Sequence, residues 1–194
     1  MRIGVLAVQG DFEAHGRMLA RLEAEPVYVR TPAQLRDLAG LILPGGESST
    51  MLKFLEDEGL FEAIGSFAGQ RPLFGTCAGA ILMAGEVTGP AQRSLGLVDI
   101  AIQRNAYGRQ LDSHIHPIDP PAEFAGRAGA GPVEAVFIRA PIIRRVGTRA
   151  TTLLEDRGDP ILVEQGRHLA ATFHPELTAD TRVHSLFLRK ASQT

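Results

Sequence analysis

The chain has 194 residues, of which 44% are hydrophobic and 22% charged, and its formal net charge is −2 at pH 7. This composition is ordinary for a soluble globular protein, and the nearly neutral charge gives no indication of a nucleic-acid or anionic-membrane partner. The single cysteine, Cys77, excludes an internal disulfide and fits a reducing compartment. No apolar stretch is long enough to span a bilayer, and no signal-peptide pattern follows the first apolar run, so we expect a cytoplasmic protein without a membrane partner.

The apolar pattern of the first half predicts alternating strands and helices. Runs of apolar residues without alternation, typical of parallel strands covered on both faces, occur at residues 3–8, 40–43 and 73–76. Helices are predicted at residues 12–23 and 50–58, the second after a cap at Ser48 or Ser49. This alternation favours an α/β fold with a mostly parallel central sheet flanked by helices.

The second half of the chain is richer in predicted strands. They lie at residues 97–103, 110–115, 133–139, 161–165 and 168–173. A final helix is predicted at residues 180–190, and residues 126–132 have the composition of a surface loop. Because no repeat, linker or second domain is evident, we expect residues 1–194 to form a single domain.

Cys77 lies in the segment Gly75-Thr-Cys-Ala-Gly79, between a predicted strand and the helix that follows it. A nucleophile at such a sharp turn needs small neighbours, because the backbone is strained and comes close to the substrate. The positive end of the following helix favours a reactive thiolate. The alternative is a buried cysteine that acts only as a small hydrophobic residue.

A candidate base for this nucleophile lies near the end of the chain, in Phe173-His-Pro-Glu176. In an extended segment His174 and Glu176 point to the same side, and Pro175 biases His174 away from a helix. Cysteine, histidine and glutamate need only meet in space to form a triad, so their separation in sequence is no objection. The alternative is a structural histidine paired with a surface glutamate.

A second glycine turn, Leu43-Pro-Gly-Gly-Glu-Ser-Ser-Thr50, follows one predicted strand and precedes a helix. Open α/β sheets bind ligands at such positions, beyond the carboxyl ends of their strands. Gly45 and Gly46 allow backbone N–H groups to face a reacting oxygen, as an oxyanion hole requires. A phosphate cradle is disfavoured because the spacing and lysine of a P-loop are missing, and a plain turn with a helix cap stays open.

Together these three motifs resemble the class I, triad-type glutamine amidotransferases. Three further segments make the chain similar to the glutaminase subunits of pyridoxal 5'-phosphate synthase, and the resemblance extends from residue 2 to about residue 189. These segments are Ile3-Gly-Val-Leu-Ala-Val-Gln-Gly10, Arg104-Asn-Ala-Tyr-Gly-Arg-Gln110 and Val136-Phe-Ile-Arg-Ala-Pro141.

This resemblance implies a flavodoxin-like three-layer fold and one glutamine amidotransferase domain over residues 1–194. It implies hydrolysis of L-glutamine to L-glutamate and ammonia without a metal or organic cofactor. The ammonia passes to a separate synthase subunit, which builds pyridoxal 5'-phosphate from a pentose 5-phosphate and glyceraldehyde 3-phosphate. Residues 9–15 are implied as part of the surface that docks to this partner.

The resemblance also assigns roles to individual residues. The implied catalytic triad is Cys77, His174 and Glu176. The implied contacts to L-glutamine are Gly46, Glu47, Ser48, Arg104, Ile138 and Arg139, and the implied oxyanion-hole donors are the backbone N–H groups of Gly46 and Ala78. Arginines suit the carboxylate of an amino acid, although a salt bridge at a strand end would equally explain Arg104.

One stretch departs from the pattern of the family. After residue 113 the family usually continues with an aromatic and an acidic residue, whereas this chain reads His114-Ile-His116. Two histidines at this spacing point to one face of a strand, but no third ligand stands nearby in the sequence, so we expect no metal. His15, His168 and His184 have no motif around them and are interpreted as structural or solvent-facing.

Three other function classes are compatible with parts of the pattern. The first is the glutaminase of another amidotransferase, such as imidazole glycerol phosphate synthase, against which segments 104–110 and 137–141 argue. The second is a cysteine-dependent stress protein in which Cys77 senses redox state, against which the His-Pro-Glu motif argues. The third is a non-enzymatic interaction protein.

Overall fold

The structure is a computed structural model that describes residues 1–106 and 113–193. These residues form twelve strands and six α-helices, with two short 3-10 helices at Pro32–Leu35 and Pro175–Leu177. The strands are β1 (Arg2–Leu6), β2 (Glu25–Val29), β3 (Gly40–Leu43), β4 (Leu73–Thr76), β5 (Ala84–Thr88), β6 (Val98–Gln103), β7 (Ser113–Ile118), β8 (Val133–Ile138), β9 (Ile142–Val146), β10 (Thr151–Asp156), β11 (Asp159–Gln165) and β12 (His168–Ala171). The helices are α1 (Phe12–Arg21), α2 (Ser48–Asp57), α3 (Leu60–Ala68), α4 (Ala78–Met83), α5 (Ala122–Ala128) and α6 (Arg182–Ser192).

A seven-stranded sheet forms the centre of the fold, in the order β10-β11-β12-β4-β3-β1-β2. The strands from β12 to β2 are parallel to their neighbours, whereas β10 and β11 are joined antiparallel to that edge. The predicted α/β class with a mostly parallel central sheet is therefore confirmed. Among the described residues, no helix is both long and apolar enough to cross a membrane.

Both faces of the central sheet are covered, which explains why its strands lack polar alternation. Leu41 and Leu43 of β3 belong to a core cluster that includes residues of α2, α3 and α4. Ile42, between them, belongs to a second cluster that includes residues of α1, α5 and α6. Because successive side chains of a strand point to opposite faces, these clusters are the two interfaces of a three-layer arrangement.

The second half of the chain adds two smaller sheets. One has the order β5-β6-β9, and the other is the antiparallel pair β7-β8. The expected extra strands in the second half are therefore confirmed. The strand predicted at residues 110–115 is observed from Ser113 onward, and residues 110–112 lie outside the described residues.

Most predicted elements agree with the structure, and the differences have local causes. Strand β2 was not expected, because it is a half-exposed edge strand that contains Pro26. The loop predicted at residues 126–132 is partly wrong, since α5 continues to Ala128 and ends before Gly129. The cap predicted at Ser48 or Ser49 is also wrong, because Glu47 caps α2 by accepting hydrogen bonds from the N–H groups of Ser49 and Thr50.

The glycines around Cys77 allow α4 to lie directly against β3 and β4. A Cβ atom on Gly79 would overlap the carbonyl group of Leu43, and one on Gly75 would lie 2.6 Å from the carbonyl carbon of Gly79. No side chain larger than hydrogen fits at either crossing without moving backbone. The spacing of these glycines therefore sets the distance between the helix and the sheet.

Gly79→Ala tests this close packing. We expect it to lower the free energy of unfolding by about 2 kcal/mol, because the added methyl group meets rigid backbone. The matched control is Gly65→Ala in α3, where the nearest atom to the new Cβ lies 4.0 Å away, on Leu95. The control should leave stability unchanged or raise it by about 0.5 kcal/mol. Urea unfolding followed by circular dichroism measures both, and equal stability of the two variants would contradict the packing described.

Candidate active site

Cys77 lies in the tight turn between β4 and α4, at the carboxyl edge of the parallel strands. Its backbone has φ 49° and ψ −106°, a conformation rarely adopted by residues other than glycine. The N–H of Cys77 donates a hydrogen bond of 2.8 Å to the carbonyl oxygen of Ala171, the last residue of β12. The side chain is thus held at the edge of the sheet, as expected for a strand-to-helix elbow.

His174 follows β12 and faces Cys77. Its N–H donates to the carbonyl oxygen of Val136 at 2.8 Å, and its ring lies near enough to the Cys77 side chain for Cys77 to raise the pKa of His174. On the other side of the ring, Nδ1 donates to Oε1 of Glu176 at 2.7 Å. The structure therefore brings all three predicted triad residues together, with His174 between Cys77 and Glu176.

The local geometry that joins His174 to Glu176 differs from the expected extended segment. Pro175 starts a 3-10 helix, Pro175–Leu177, and Glu176 lies inside it. Proline is favourable at the first position of a helix because it has no N–H to leave unpaired. A turn, rather than strand periodicity, thus brings the carboxylate back to the imidazole.

The charges within this chain are stabilised by one another. Burial alone would lower the pKa of His174, but its hydrogen bonds with Cys77 and Glu176 outweigh burial and raise that pKa to about 10. Burial likewise raises the pKa of Glu176, but His15 and His174 lower that pKa by more. The arrangement therefore favours a protonated His174 between an ionised Glu176 and the Cys77 sulfur.

Two histidines that lack a sequence motif lie directly behind Glu176. His15 and His184 are completely buried, so a solvent-facing position for either is wrong. His15 Nε2 lies 3.5 Å from Glu176 Oε2 and 3.2 Å from the Thr76 hydroxyl, and His15 Nδ1 lies 2.9 Å from His184 Nε2. Burial lowers the pKa of both histidines, that of His184 to about 3. His168 is structural, because its Nδ1 accepts a hydrogen bond of 3.1 Å from the N–H of Leu73.

The glycine turn after β3 closes over the other side of the triad. A Cβ atom on Gly45 would lie 2.5 Å from Cε1 of His174 and 3.4 Å from Cβ of Cys77, so only glycine fits there. Gly46 has φ 142°, again a conformation suited to glycine. The N–H of Glu47 donates to the side-chain oxygen of Gln9 at 2.9 Å, which ties this turn to the segment after β1.

One pocket contains Cys77 together with every predicted contact to glutamine. Among the described residues its lining comprises Gly46, Glu47, Ser48, Cys77, Ile81, Arg104, Asn105, Ala106, Ile138, Arg139 and Pro141. Ile81, Asn105, Ala106 and Pro141 were not predicted as contacts, although the last three lie within the family segments 104–110 and 136–141. Ala78, the other predicted oxyanion donor, begins α4 directly after Cys77, where N–H groups have no partner within the helix.

The polar wall of this pocket carries charges of both signs. Arg104 is buried and donates to the Ser49 hydroxyl at 2.6 Å and to Glu47 Oε1 at 3.2 Å. Arg104 therefore forms a salt bridge with Glu47, as the alternative interpretation from sequence had it, and both residues line the pocket. The hydrogen bonds from Thr50 and Ser49 outweigh burial and lower the pKa of Glu47 to about 2, so this carboxylate is ionised. Three potential metal ligands, His114, His116 and Asp156, lie together elsewhere and do not line this pocket.

Comparisons with known proteins identify the family of the chain. Residues 5–193 match the SNO glutamine amidotransferase family. The chain is 59% identical to the pyridoxal 5'-phosphate synthase subunit PdxT of Solibacter usitatus, over 97% of this chain and 98% of that protein. It is 51% identical to the PdxT subunit of Deinococcus radiodurans, over 100% of this chain and 98% of that protein.

Solved structures give the same result. A crystal structure described as a glutamine amidotransferase has a TM-score of 0.89 and 42% identity, and the match covers 98% of each chain. PurLQS from Thermotoga maritima has a TM-score of 0.72 at 17% identity over 97% of each chain, which shows a shared fold only. On the family match and the full-length relatives, the chain belongs to the SNO glutamine amidotransferase family.

Proposed function

We propose that this chain hydrolyses L-glutamine to L-glutamate and ammonia, as the glutaminase subunit of a pyridoxal 5'-phosphate synthase. The observation that carries the proposal is the placement of His174 between Cys77 and Glu176, with Cys77 lining a pocket of mixed charge. The names of the relatives supply the partner and the pathway. In this proposal residues 1–194 act as one glutamine amidotransferase domain.

The first half of the reaction forms a thioester. Cys77 gives its proton to His174, and the thiolate attacks the side-chain amide carbon of glutamine. The backbone N–H groups of Gly46 and Ala78 stabilise the oxygen that becomes negatively charged. The imidazolium of His174 then donates its proton to the departing nitrogen, and ammonia leaves.

The second half releases glutamate. His174, neutral again, takes a proton from a water molecule that attacks the thioester, and the Cys77 thiolate is regenerated. Glu176 accepts a hydrogen bond from the Nδ1–H of His174 throughout, which holds the imidazole ring and keeps its other nitrogen directed at sulfur. No metal or organic cofactor takes part, and pyridoxal 5'-phosphate is a product of the complex.

The zwitterionic end of glutamine matches the charges of the pocket wall. We assign its α-carboxylate to Arg104 and Arg139, and its α-ammonium group to Glu47, which stays ionised. The Glu47–Arg104 pair keeps both charges in place before substrate arrives. Ser48 and Ile138 complete the wall next to the side chain of the substrate.

The proposed location is the cytoplasm, where a thiol such as Cys77 stays reduced.

Substitutions in the triad test the assigned roles. Cys77→Ala and His174→Asn should each reduce kcat for glutamine hydrolysis at least about 1,000-fold, because triad residues act as a unit. Glu176→Gln should be less damaging, since His174 keeps its contact with sulfur. Glutamate release is measured in the presence of a synthase subunit, and circular dichroism checks that each variant is folded. A folded Cys77→Ala variant with substantial activity would exclude Cys77 as the nucleophile.

A second prediction concerns control by the synthase. Hydrolysis without a consumer wastes glutamine, so we expect the chain alone to be slow and added synthase to raise kcat. The hydrogen bond from Glu47 to Gln9 supplies the physical link, because it joins the proposed docking segment, residues 9–15, to the Gly45–Gly46 turn. A partner that binds only the competent form of this turn shifts the population toward it.

Gln9→Ala provides the matched variant for this prediction. It should retain the slow basal rate and lose most of the stimulation, because the link between docking segment and turn is cut. Both proteins are assayed at saturating glutamine with and without synthase, and binding of the synthase is measured separately. Equal kcat for free and complexed wild-type protein would refute control by the partner.

A further inference from the structure

Three side chains that can bind a metal meet between two sheets, away from the Cys77 pocket. His114 and His116 project from β7, and Asp156 is the last residue of β10, the outer strand of the large sheet. The donor atoms of all three lie within 4.8 Å of one another, and His116 Nε2 is 3.0 Å from Asp156 Oδ1. The third ligand missing from the sequence pattern is thus supplied by a strand about 40 residues further along the chain.

The two histidine rings are held in parallel by their surroundings. Their centroids lie 5.1 Å apart at an interplanar angle of 15°. Both rings stack on Phe137 of β8, with centroids 4.7 Å from His114 and 5.7 Å from His116. Such packing fixes the orientation of both rings. The histidine side chains therefore lose less conformational entropy when they bind a metal.

The group is accessible and has room for a further ligand. The side chains of His116 and Asp156 are 24% and 16% exposed. An adjoining cavity is lined by His114, Asp156, Arg157 and Asp159 among others. Water or an added anion can therefore occupy the fourth position of a site with three protein ligands.

We propose that His114, His116 and Asp156 bind a divalent transition metal of the zinc type. Two imidazoles and one carboxylate are a donor set that this class of ion prefers. Tetrahedral zinc places its donors about 3.4 Å apart, so binding draws these side chains together. The ion would fasten the β7–β8 pair to the edge of the large sheet, and β8 ends at Ile138, which lines the Cys77 pocket.

The test uses the full chain after chelator treatment and titrates it with zinc chloride by calorimetry, with cobalt(II) absorption as a second readout. Cys77→Ala serves as the background, because a thiol beside a histidine also binds zinc. We expect one equivalent of zinc to bind in this background and to raise Tm. His116→Ala and Asp156→Asn should abolish that binding.

His114→Phe is the sharpest variant, because phenylalanine keeps the stack on Phe137 and removes only the donor nitrogen. It should fold with an unchanged Tm in the absence of metal and fail to bind zinc. Zinc binding that survives these substitutions, or no binding in the Cys77→Ala background, would overturn the proposal. In that case His116 and Asp156 form an ion pair only.

A second inference, independent of the first, concerns the buried histidines behind the triad, and it rests on the proposed function. Glu176 Oε2 is buried and makes no hydrogen bond among the described residues, and His15 Nε2 lies 3.5 Å from it. A carboxylate can only accept, so His15 carries its proton on Nε2, and His15 Nδ1 accepts from His184 Nε2. The chain of partners thus continues from Cys77 to His184.

We infer that His15 is a positioning residue for Glu176 in glutamine hydrolysis. It restrains the carboxylate oxygen that His174 does not use, and thereby fixes the direction of the carboxylate toward His174. Helix α1 places His15 next to Thr76, the last residue of β4. His15 Nε2 lies 3.2 Å from the Thr76 hydroxyl as well as facing Glu176. His15 and Glu176 do not line the substrate pocket. Loss of His15 should therefore lower kcat and leave KM for glutamine unchanged.

His15→Phe tests this role, since it keeps an aromatic ring in the core and removes the N–H group. We expect kcat per active chain to fall about 10- to 100-fold, with active chains counted by alkylation of Cys77. His15→Gln, which retains an N–H donor, should recover part of the loss, and His168→Gln is the control for a histidine remote from Glu176. Unchanged kcat in a folded His15→Phe variant would overturn the positioning role, whereas inactive wild-type protein would overturn the proposed function itself.

Discussion

The candidate site depends on the strained turn that carries Cys77. A non-glycine residue with φ 49° and ψ −106° costs about 1–3 kcal/mol, so the surrounding structure must impose it. Two contacts do so: the N–H of Cys77 bonds to Ala171 at the end of β12, and Gly79 lets α4 press against Leu43 of β3. Since β12 pairs with β4, the same hydrogen bonding brings His174 to the side of the sulfur.

Electrostatics then separates the site into two regions. Next to the sulfur, paired charges are favoured: Cys77 and Glu176 raise the pKa of His174, and His15 and His174 lower that of Glu176. Behind Glu176, burial lowers the pKa of His15 and of His184, so these imidazoles stay neutral and act as dipoles. A neutral His15 can orient the Glu176 carboxylate without forming a second ion pair that would weaken the one with His174. The proposed oxyanion donors, in contrast, are the backbone N–H groups of Gly46 and Ala78, which do not titrate.

Much of this could be predicted from sequence, because the decisive signals are local. An apolar run followed by small residues located Cys77, and two glycines after another run located the Gly45–Gly46 turn. His15, His184 and Asp156 could not be found in this way, because their partners lie 40 to 169 residues distant and no spacing rule connects them. The contact of His174 with Glu176 was predicted for a partly wrong reason, since a 3-10 turn and not an extended strand joins them. Residues 107–110 of the family segment 104–110 lie outside the described part of the chain.

The most direct test of the central claim is to identify the residue that carries the glutamyl group during turnover. The chain, complexed with synthase, is mixed with glutamine, quenched in acid within the steady state, and digested for mass spectrometry. We expect one glutamyl thioester, located on Cys77 and absent from Cys77→Ala. A glutamyl group found on another residue would contradict the assignment of Cys77 as the nucleophile. Active turnover without a glutamyl group on Cys77 at any quench time would contradict it as well.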